Sequence, residues 1–104
     1  MARPSTMTLL GVAILMACWR VAGAADEQAG KKLSDESCGA CHGQNGIGII
    51  PLYPNLAGQK REYLAAQLRA FRDGSRKNPI MSPMSVHLSD SAIEDVAAYL
   101  ASLK

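Results

Sequence analysis

Two cysteines and a histidine form the group of residues with the clearest chemical meaning. Cys38 and Cys41 are separated by two residues, and His42 follows directly. On a helical turn, thiols at this spacing project to one side. There they could form thioethers to one edge of a porphyrin while the adjacent imidazole reaches its iron. The pattern C-x-x-C-H is the attachment signature of c-type haem, so the sequence predicts one covalently bound haem.

Three other chemistries use a similar pair of cysteines. A thioredoxin-like dithiol lies in an α/β fold, but no segment here alternates apolar and polar residues as strands do. A structural zinc site needs four ligands, which Cys38, Cys41, His42 and His87 could supply, although His87 stands alone in the sequence. A plain structural disulfide would leave His42 without a role.

A second iron ligand has two candidates. Haem iron held by histidine on one side commonly takes methionine on the other in electron-transfer cytochromes. Met81 and Met84 lie in a stretch that contains Pro79 and Pro83. Methionine also fills irregular gaps in protein cores. The residues alone therefore leave both methionines open as the ligand.

The amino-terminal segment has the features of an export signal. Arg3 supplies a positive start, and Leu9–Trp19 is an apolar run without charge. Small residues at Ala22 and Ala24 then form an A-x-A cleavage pattern. We predict that residues 1–24 are a cleaved secretory signal peptide.

Export places the mature domain, residues 25–104, in the periplasm without stable insertion into a membrane. The apolar run is shorter than the roughly 20 residues that span a bilayer. An uncleaved membrane anchor and lipidation at Cys18 are the alternatives. Cys18 leaves with the signal peptide, so the mature chain keeps two of its three cysteines.

Composition restricts the class of function. The chain of 104 residues has eleven basic and nine acidic side chains, a formal charge of +2. Arg3 and Arg20 lie in the signal segment and no acidic residue does, so the mature chain is neutral. Nucleic-acid binding depends on excess positive charge, so this class is excluded. A chain of about 80 residues usually needs a disulfide, metal or cofactor to complete its core.

The helical periodicity of apolar residues and the Gly- and Pro-rich breaks between the periodic segments predict an all-α domain. We expect helices over Asp26–Ser37, Lys60–Asp73 and Ser89–Leu103, because apolar residues recur at helical spacing in the second and third. Loops rich in Gly and Pro separate them at 43–58 and 75–88. The apolar faces are too narrow to close a core by themselves. A planar apolar group between the three helices would complete it.

At this point the sequence resembles the class I c-type cytochromes, most closely a single monohaem domain of the cytochrome c4 or c-553 kind. The resemblance covers nearly all of the mature chain. The motifs that carry it are Cys38-Gly39-Ala40-Cys41-His42-Gly43, Pro54-Asn55-Leu56-Ala57-Gly58-Gln59, Tyr63-Leu64, Gln67-Leu68, Phe71, Gly74, Arg76, Asn78-Pro79-Ile80-Met81-Ser82-Pro83-Met84, Leu88-Ser89-Asp90 and Ala97-Ala98-Tyr99-Leu100.

The resemblance implies roles for several of these residues. The family's axial methionine lies about seven residues before the Leu-Ser-Asp start of the last helix, which favours Met81, with Met84 as the fallback. The carbonyl of Pro54 would accept a hydrogen bond from the free ring nitrogen of His42. Such a bond fixes the tautomer of a ligating histidine and raises its basicity.

The resemblance also concerns packing around the haem. It implies that Leu56 packs on the haem and that Gly30 and Tyr99 lie where the first and last helices cross. One departure from the family pattern is clear. Cytochrome c4 proper has two such domains in tandem, whereas this chain has one C-x-x-C-H motif and therefore one haem.

The function implied is that of a periplasmic one-electron carrier, not an enzyme, which cycles between Fe(III) and Fe(II). Its donor would be a dehydrogenase or a quinol-oxidising complex, and its acceptor a protein such as a terminal oxidase. We expect a monomer that binds these redox proteins weakly and briefly. The alternative is a haem c electron-transfer subunit fixed within a dehydrogenase complex.

Polar residues near the second loop have less specific interpretations. Arg69, Arg72, Arg76 and Lys77 could form a docking patch for an acidic partner or a merely solvated face. Arg76 and Asn78 precede the predicted methionine ligand and could bond a haem propionate, tune the ligand, or form a solvated turn.

Overall fold

The computed structural model describes residues 2–4 and 24–104 of the chain, and within them it contains helices and no strand, so the all-α prediction is confirmed. Most of the predicted signal peptide lies outside the described residues. In the described part, no helix is long and apolar enough to cross a bilayer. The elements are α1 (Glu27–Leu33), a π-helical turn (Ser34–Cys38), α2 (Gly39–His42), α3 (Arg61–Asp73), α4 (Met81–Ser85) and α5 (Asp90–Ser102).

The first helix begins with a strong cap. The Asp26 carboxylate accepts hydrogen bonds from the amides of Gln28 and Ala29, at 2.9 and 3.1 Å. It thereby satisfies amide groups that the first turn of a helix leaves unpaired. Helical backbone then continues through the π-helical turn into α2. The first helical segment therefore extends to His42, five residues beyond the predicted end at Ser37.

The core is built around α5. This helix packs against α1 on one side and α3 on the other, and its apolar residues recur at the spacing that places them on these two faces. Partly buried residues of the intervening segments, Leu56 among them, pack against the same cluster. The buried members are Leu64, Ala65, Ile93, Val96, Ala97, Tyr99 and Leu100.

A glycine permits the close approach of α1 and α5. Gly30 is buried, and a Cβ atom added to it would overlap the carbonyl oxygen of Asp95 and lie 3.0 Å from the Cβ of Tyr99. The backbones therefore meet at a distance that only glycine allows. The predicted close crossing at Gly30 and Tyr99 is confirmed.

Ion pairs join the outer faces of α3 and α5. Arg61 and Arg69 donate to the two carboxylate oxygens of Glu94, at 3.1 and 2.8 Å, and Arg72 donates to Asp90 at 2.7 Å. Hydrogen bonds from these arginines lower the pKa of Glu94 and of Asp90. The positive charges of Arg69 and Arg72, considered above as a docking patch, are thus paired within the fold.

One short helix lies where the sequence predicted an irregular loop. Within residues 75–88, the segment Met81–Ser85 forms α4, which packs against α3. Its five residues include Pro83 and span little more than one turn, so no helical periodicity could reveal it.

We predict that Gly30→Ala destabilises the protein. Alanine is the better helix former by about 1 kcal/mol, but its methyl group would collide with α5, and overpacking of this kind costs about 1–3 kcal/mol or more. Denaturant unfolding of the haem-loaded protein measures the difference. Gly74→Ala is the control, because a Cβ there has open space around it. Its only cost is the positive φ of this residue, which alanine adopts less readily than glycine. A Gly30→Ala protein more stable than wild type would contradict the tight crossing.

We predict that Glu94→Gln lowers the melting temperature by a few degrees near neutral pH, as expected for exposed ion pairs in a small domain. Because the folded-state pKa of Glu94 is lowered, its contribution is present above the ordinary carboxylate pKa and is lost as the pH falls through the lowered value. The difference in melting temperature between Glu94→Gln and wild type should therefore disappear in acid. Glu62→Gln is the control, since Glu62 is exposed and forms no ion pair within residues 24–104. A gap that persists unchanged in acid would contradict this assignment.

Candidate haem-attachment site

The C-x-x-C-H motif lies on one continuous helical segment. Cys38 ends the π-helical turn, and Cys41 and His42 belong to α2. Both cysteines are free thiols and half-buried, so they are not joined in the structural disulfide considered above. Burial raises the pKa of the Cys38 thiol. The two sulfur atoms are thus available for bonding to another group.

His42 is held by the loop that follows it. The ring is buried, and its Nδ1 lies 2.9 Å from the carbonyl oxygen of Pro54. A carbonyl oxygen has no proton, so the imidazole must donate from Nδ1. In the neutral ring, Nε2 then carries a free lone pair. The histidine is therefore in the tautomer that a metal ligand requires, with the contact to Pro54 that the family resemblance implies.

Internal hydrogen bonds fix the loop that presents Pro54. The carbonyl of Gly46 accepts from the amides of Leu56 and Ala57, at 2.7 and 3.0 Å. Gly46 has a positive φ of 77°, which glycine adopts without strain. Asn55 accepts from the amide of Gly48 at 2.8 Å. Hydrogen bonds of the three residues that follow Pro54 therefore hold its carbonyl against the imidazole.

The loop is also joined to the attachment motif itself. The amide of Ile49 donates to the carbonyl of Cys41 at 3.1 Å. The hydroxyl of Tyr99 on α5 reaches the carbonyl of Gln44 at 3.4 Å. The motif and the loop after it therefore form one connected unit, which is tied to the last helix.

The two candidate methionines differ in their surroundings. Met81 is the first residue of α4 and is half-buried, whereas Met84 exposes 46% of its surface. The side-chain oxygen of Asn78 accepts from the amides of Ile80 and Met81, both at 2.9 Å. No prediction from the sequence placed a helix cap at Asn78. Its one signal is an Asn-Pro pair, which favours the start of a turn.

Arg76, the other polar candidate in this segment, is engaged with α3. Its guanidinium lies 4.6 Å from the centroid of the Phe71 ring, and it donates to Gln67 at 2.7 Å. A cation over an aromatic face is attracted by the ring quadrupole. Arg76 therefore holds the segment after α3 against that helix.

Exposed aliphatic side chains concentrate in the segments that flank the motif and the methionines. Burial of such side chains is the main favourable term in folding and association, so their concentration marks surfaces for contact with other apolar groups. The flat faces of a porphyrin are such groups. The exposed residues are Ile47, Ile49, Ile50 and Leu52 in the first loop, and Ile80, Met84 and Val86 around α4.

The donor atoms present fit the haem that the sequence predicts. Cys38 and Cys41 would hold it through two thioethers, and His42 would ligate the iron through Nε2. Within the described residues, no group of three or more His, Cys, Asp or Glu side chains is arranged to hold a metal ion. His87, the fourth ligand of the zinc alternative, is exposed.

Comparison with known proteins identifies similar chains. The sequence model of the cytochrome c family matches residues 27–104. Cytochrome c-554(548) of Halomonas halodenitrificans is 49% identical over 69 residues, which cover 64% of this chain and 83% of that protein. The thiosulfate dehydrogenase electron acceptor of Thiomonas intermedia is 48% identical over 69 residues, which cover 65% of this chain and 32% of that protein.

The fold is also similar to solved structures. A cytochrome c4 structure from Acidithiobacillus ferrooxidans superposes with a TM-score of 0.71 and 34% sequence identity, covering 79% of this chain and 53% of that one. The chain therefore spans about half of that cytochrome c4 and about a third of the thiosulfate dehydrogenase electron acceptor. It spans most of cytochrome c-554(548).

Proposed function

Since the chain belongs to the cytochrome c family, whose haem c is bound covalently, we propose that it is a periplasmic one-electron carrier with its haem attached at Cys38 and Cys41. The observation that carries the proposal is the state of His42. Its Nδ1 donates to the Pro54 carbonyl, which leaves Nε2 free to ligate iron. The bound haem supplies a reversible Fe(III)/Fe(II) couple.

The second axial ligand in this proposal is Met81. Its support is its place in the chain, at the first residue of a helix, and its half-buried side chain. Met84 is nearly half exposed and is the fallback. Ligation by both His42 and Met81 would leave no position on the iron for a substrate. The protein would then transfer electrons without catalysing bond chemistry of its own.

The residues around the site would keep the ligands fixed through the redox cycle. The loop bonds that hold Pro54 are backbone and amide contacts, and none of them depends on the charge of the iron. Similar ligand geometry in both oxidation states would keep the reorganisation energy of electron transfer small. The chain's contribution to electron transfer is thus the rigid placement of His42 and the exclusion of water from its buried ring.

An uncharged face would mediate docking of the redox partners. Residues 43–59 contain no charged side chain, and within them Ile49 and Leu52 expose 61% and 77% of their surface. Those aliphatic side chains of the loop that a bound haem leaves uncovered would face the partner. This loop begins directly after His42, so a partner bound there would lie close to the attachment motif. Apolar contact of small area suits weak and brief encounters. A donor dehydrogenase or quinol-oxidising complex and an acceptor such as a terminal oxidase are the partner classes proposed.

Export accompanies this function. Haem c is attached to its two cysteines outside the cytoplasm. The apolar run Leu9–Trp19 and the Ala22-x-Ala24 pattern support a signal peptide cleaved near residue 24. The mature carrier would then comprise residues 25–104.

A second candidate function is that of a haem subunit in a dehydrogenase complex. The similarity to a thiosulfate dehydrogenase electron acceptor, at 48% identity, favours it. Purification of the haem-loaded protein from its native source distinguishes the two. A free carrier separates from other proteins at low ionic strength, whereas a subunit stays with a partner in fixed ratio through high salt.

We predict that Met81→Ala abolishes the weak near-infrared band of ferric iron ligated by a thioether, because it removes the sulfur atom. A pyridine haemochrome spectrum first establishes that the exported protein holds one haem bound through two thioethers. Met84→Ala is the matched control, since it deletes a neighbouring methionine of the same helix, and its band should persist. A band that survives Met81→Ala and disappears in Met84→Ala would reverse the assignment. A colourless exported protein would refute the function.

A further inference from the structure

The amide groups around Met81 all depend on one residue. The first turn of a helix has no internal partners for its amides. At α4, the side-chain oxygen of Asn78 accepts from Ile80 and Met81, and its carbonyl oxygen accepts from Ser82 at 3.0 Å. The next residue, Pro83, has no amide proton. Asn78 therefore satisfies the amides of Ile80, Met81 and Ser82, the first two through its side chain and the third through its carbonyl.

The arrangement is reciprocal. The hydroxyl of Ser82 accepts from the backbone amide of Asn78 at 3.0 Å. Asn78 and Ser82 are thus joined twice across the turn that contains Met81, through the Ser82 hydroxyl and through the backbone carbonyl of Asn78. Pro79, between them, has a φ fixed by its ring. This end of α4 is a closed set of hydrogen bonds with one asparagine at its centre.

The other end of α4 is held differently. Ser85 is fully buried, and its carbonyl accepts from the amide of Leu88 at 3.1 Å. Arg72 on α3 donates to the carbonyl of Leu88 at 3.0 Å. Packing and α3 therefore fix the carboxyl end. The amino end, where Met81 lies, is next to exposed residues and depends on its cap.

A helix of five residues has too few internal bonds to be stable by itself. We propose that Asn78 is the positioning residue for the Met81 ligand. By capping α4, it would hold the Met81 backbone in the position from which the sulfur can ligate the iron. This inference rests on the proposed ligation by Met81.

Competition with an added ligand tests the proposal. Imidazole displaces a thioether from ferric haem, so its apparent affinity rises in proportion as the methionine bond weakens. Loss of an N-cap costs a helix about 1 kcal/mol, which corresponds to about fivefold. Asn78→Ala should therefore bind imidazole about fivefold more tightly than wild type and show a weaker near-infrared band. Asn78→Ser restores a side-chain acceptor without adding charge and should return both values toward wild type.

A control separates this effect from a general loss of stability. Ser89→Ala removes the cap of α5, where the hydroxyl accepts from the amide of Ala92 at 3.1 Å. This variant should unfold at a denaturant concentration as low as that of Asn78→Ala. Its imidazole affinity and its near-infrared band should match those of wild type.

The outcomes are distinct. Tighter imidazole binding in Asn78→Ala, with rescue by Asn78→Ser and no change in Ser89→Ala, supports the proposal. Unchanged binding in Asn78→Ala, or equal tightening in both alanine variants, overturns it while the haem and its Met81 ligand stand. Persistence of the near-infrared band in Met81→Ala refutes the ligand assignment itself, and the role of Asn78 is refuted with it.

Discussion

The hydrogen bond from His42 to the Pro54 carbonyl is the contact on which the arrangement of the site depends. It joins the end of a helical segment to a loop twelve residues later and decides which imidazole nitrogen holds the proton. The loop bonds through Gly46 and Asn55 serve to keep that carbonyl in place. In the other tautomer Nε2 would carry the proton, so it would have no free lone pair for the proposed ligation of iron.

The fold supports this contact with a small core. α5 packs against α1 through the glycine crossing at Gly30 and against α3 through ion pairs on their outer faces. Cys38 and Leu56 lie at the border of the same core. In a domain this small, a covalently bound haem adds apolar surface that the chain itself does not supply. The attachment site and the core are thus packed against each other and would be stabilised together by the haem.

Much of this organisation was accessible from the sequence, and the limits have physical causes. The three main helices follow from apolar spacing and from caps such as Ser89, which are local signals. The ion pair between Arg69 and Glu94 requires the relative position of two helices, which no local pattern contains. The short helix α4 is defined by the hydrogen bonds of Asn78 rather than by periodicity, so a prediction based on spacing assigned it to a loop.

The two proposed axial ligands are therefore held by different physical means. His42 is itself buried, and its ring is fixed by a loop with several independent hydrogen bonds. Met81, itself half-buried, begins a five-residue helix beside exposed residues, where the side chain of Asn78 accepts from the amides of Ile80 and Met81. Loss of one loop bond on the histidine side leaves others in place, whereas loss of the Asn78 side chain leaves the amides of Ile80 and Met81 without their acceptor. The methionine side is thus where small changes in sequence would alter ligation, and with it the potential of the iron, without unfolding the protein.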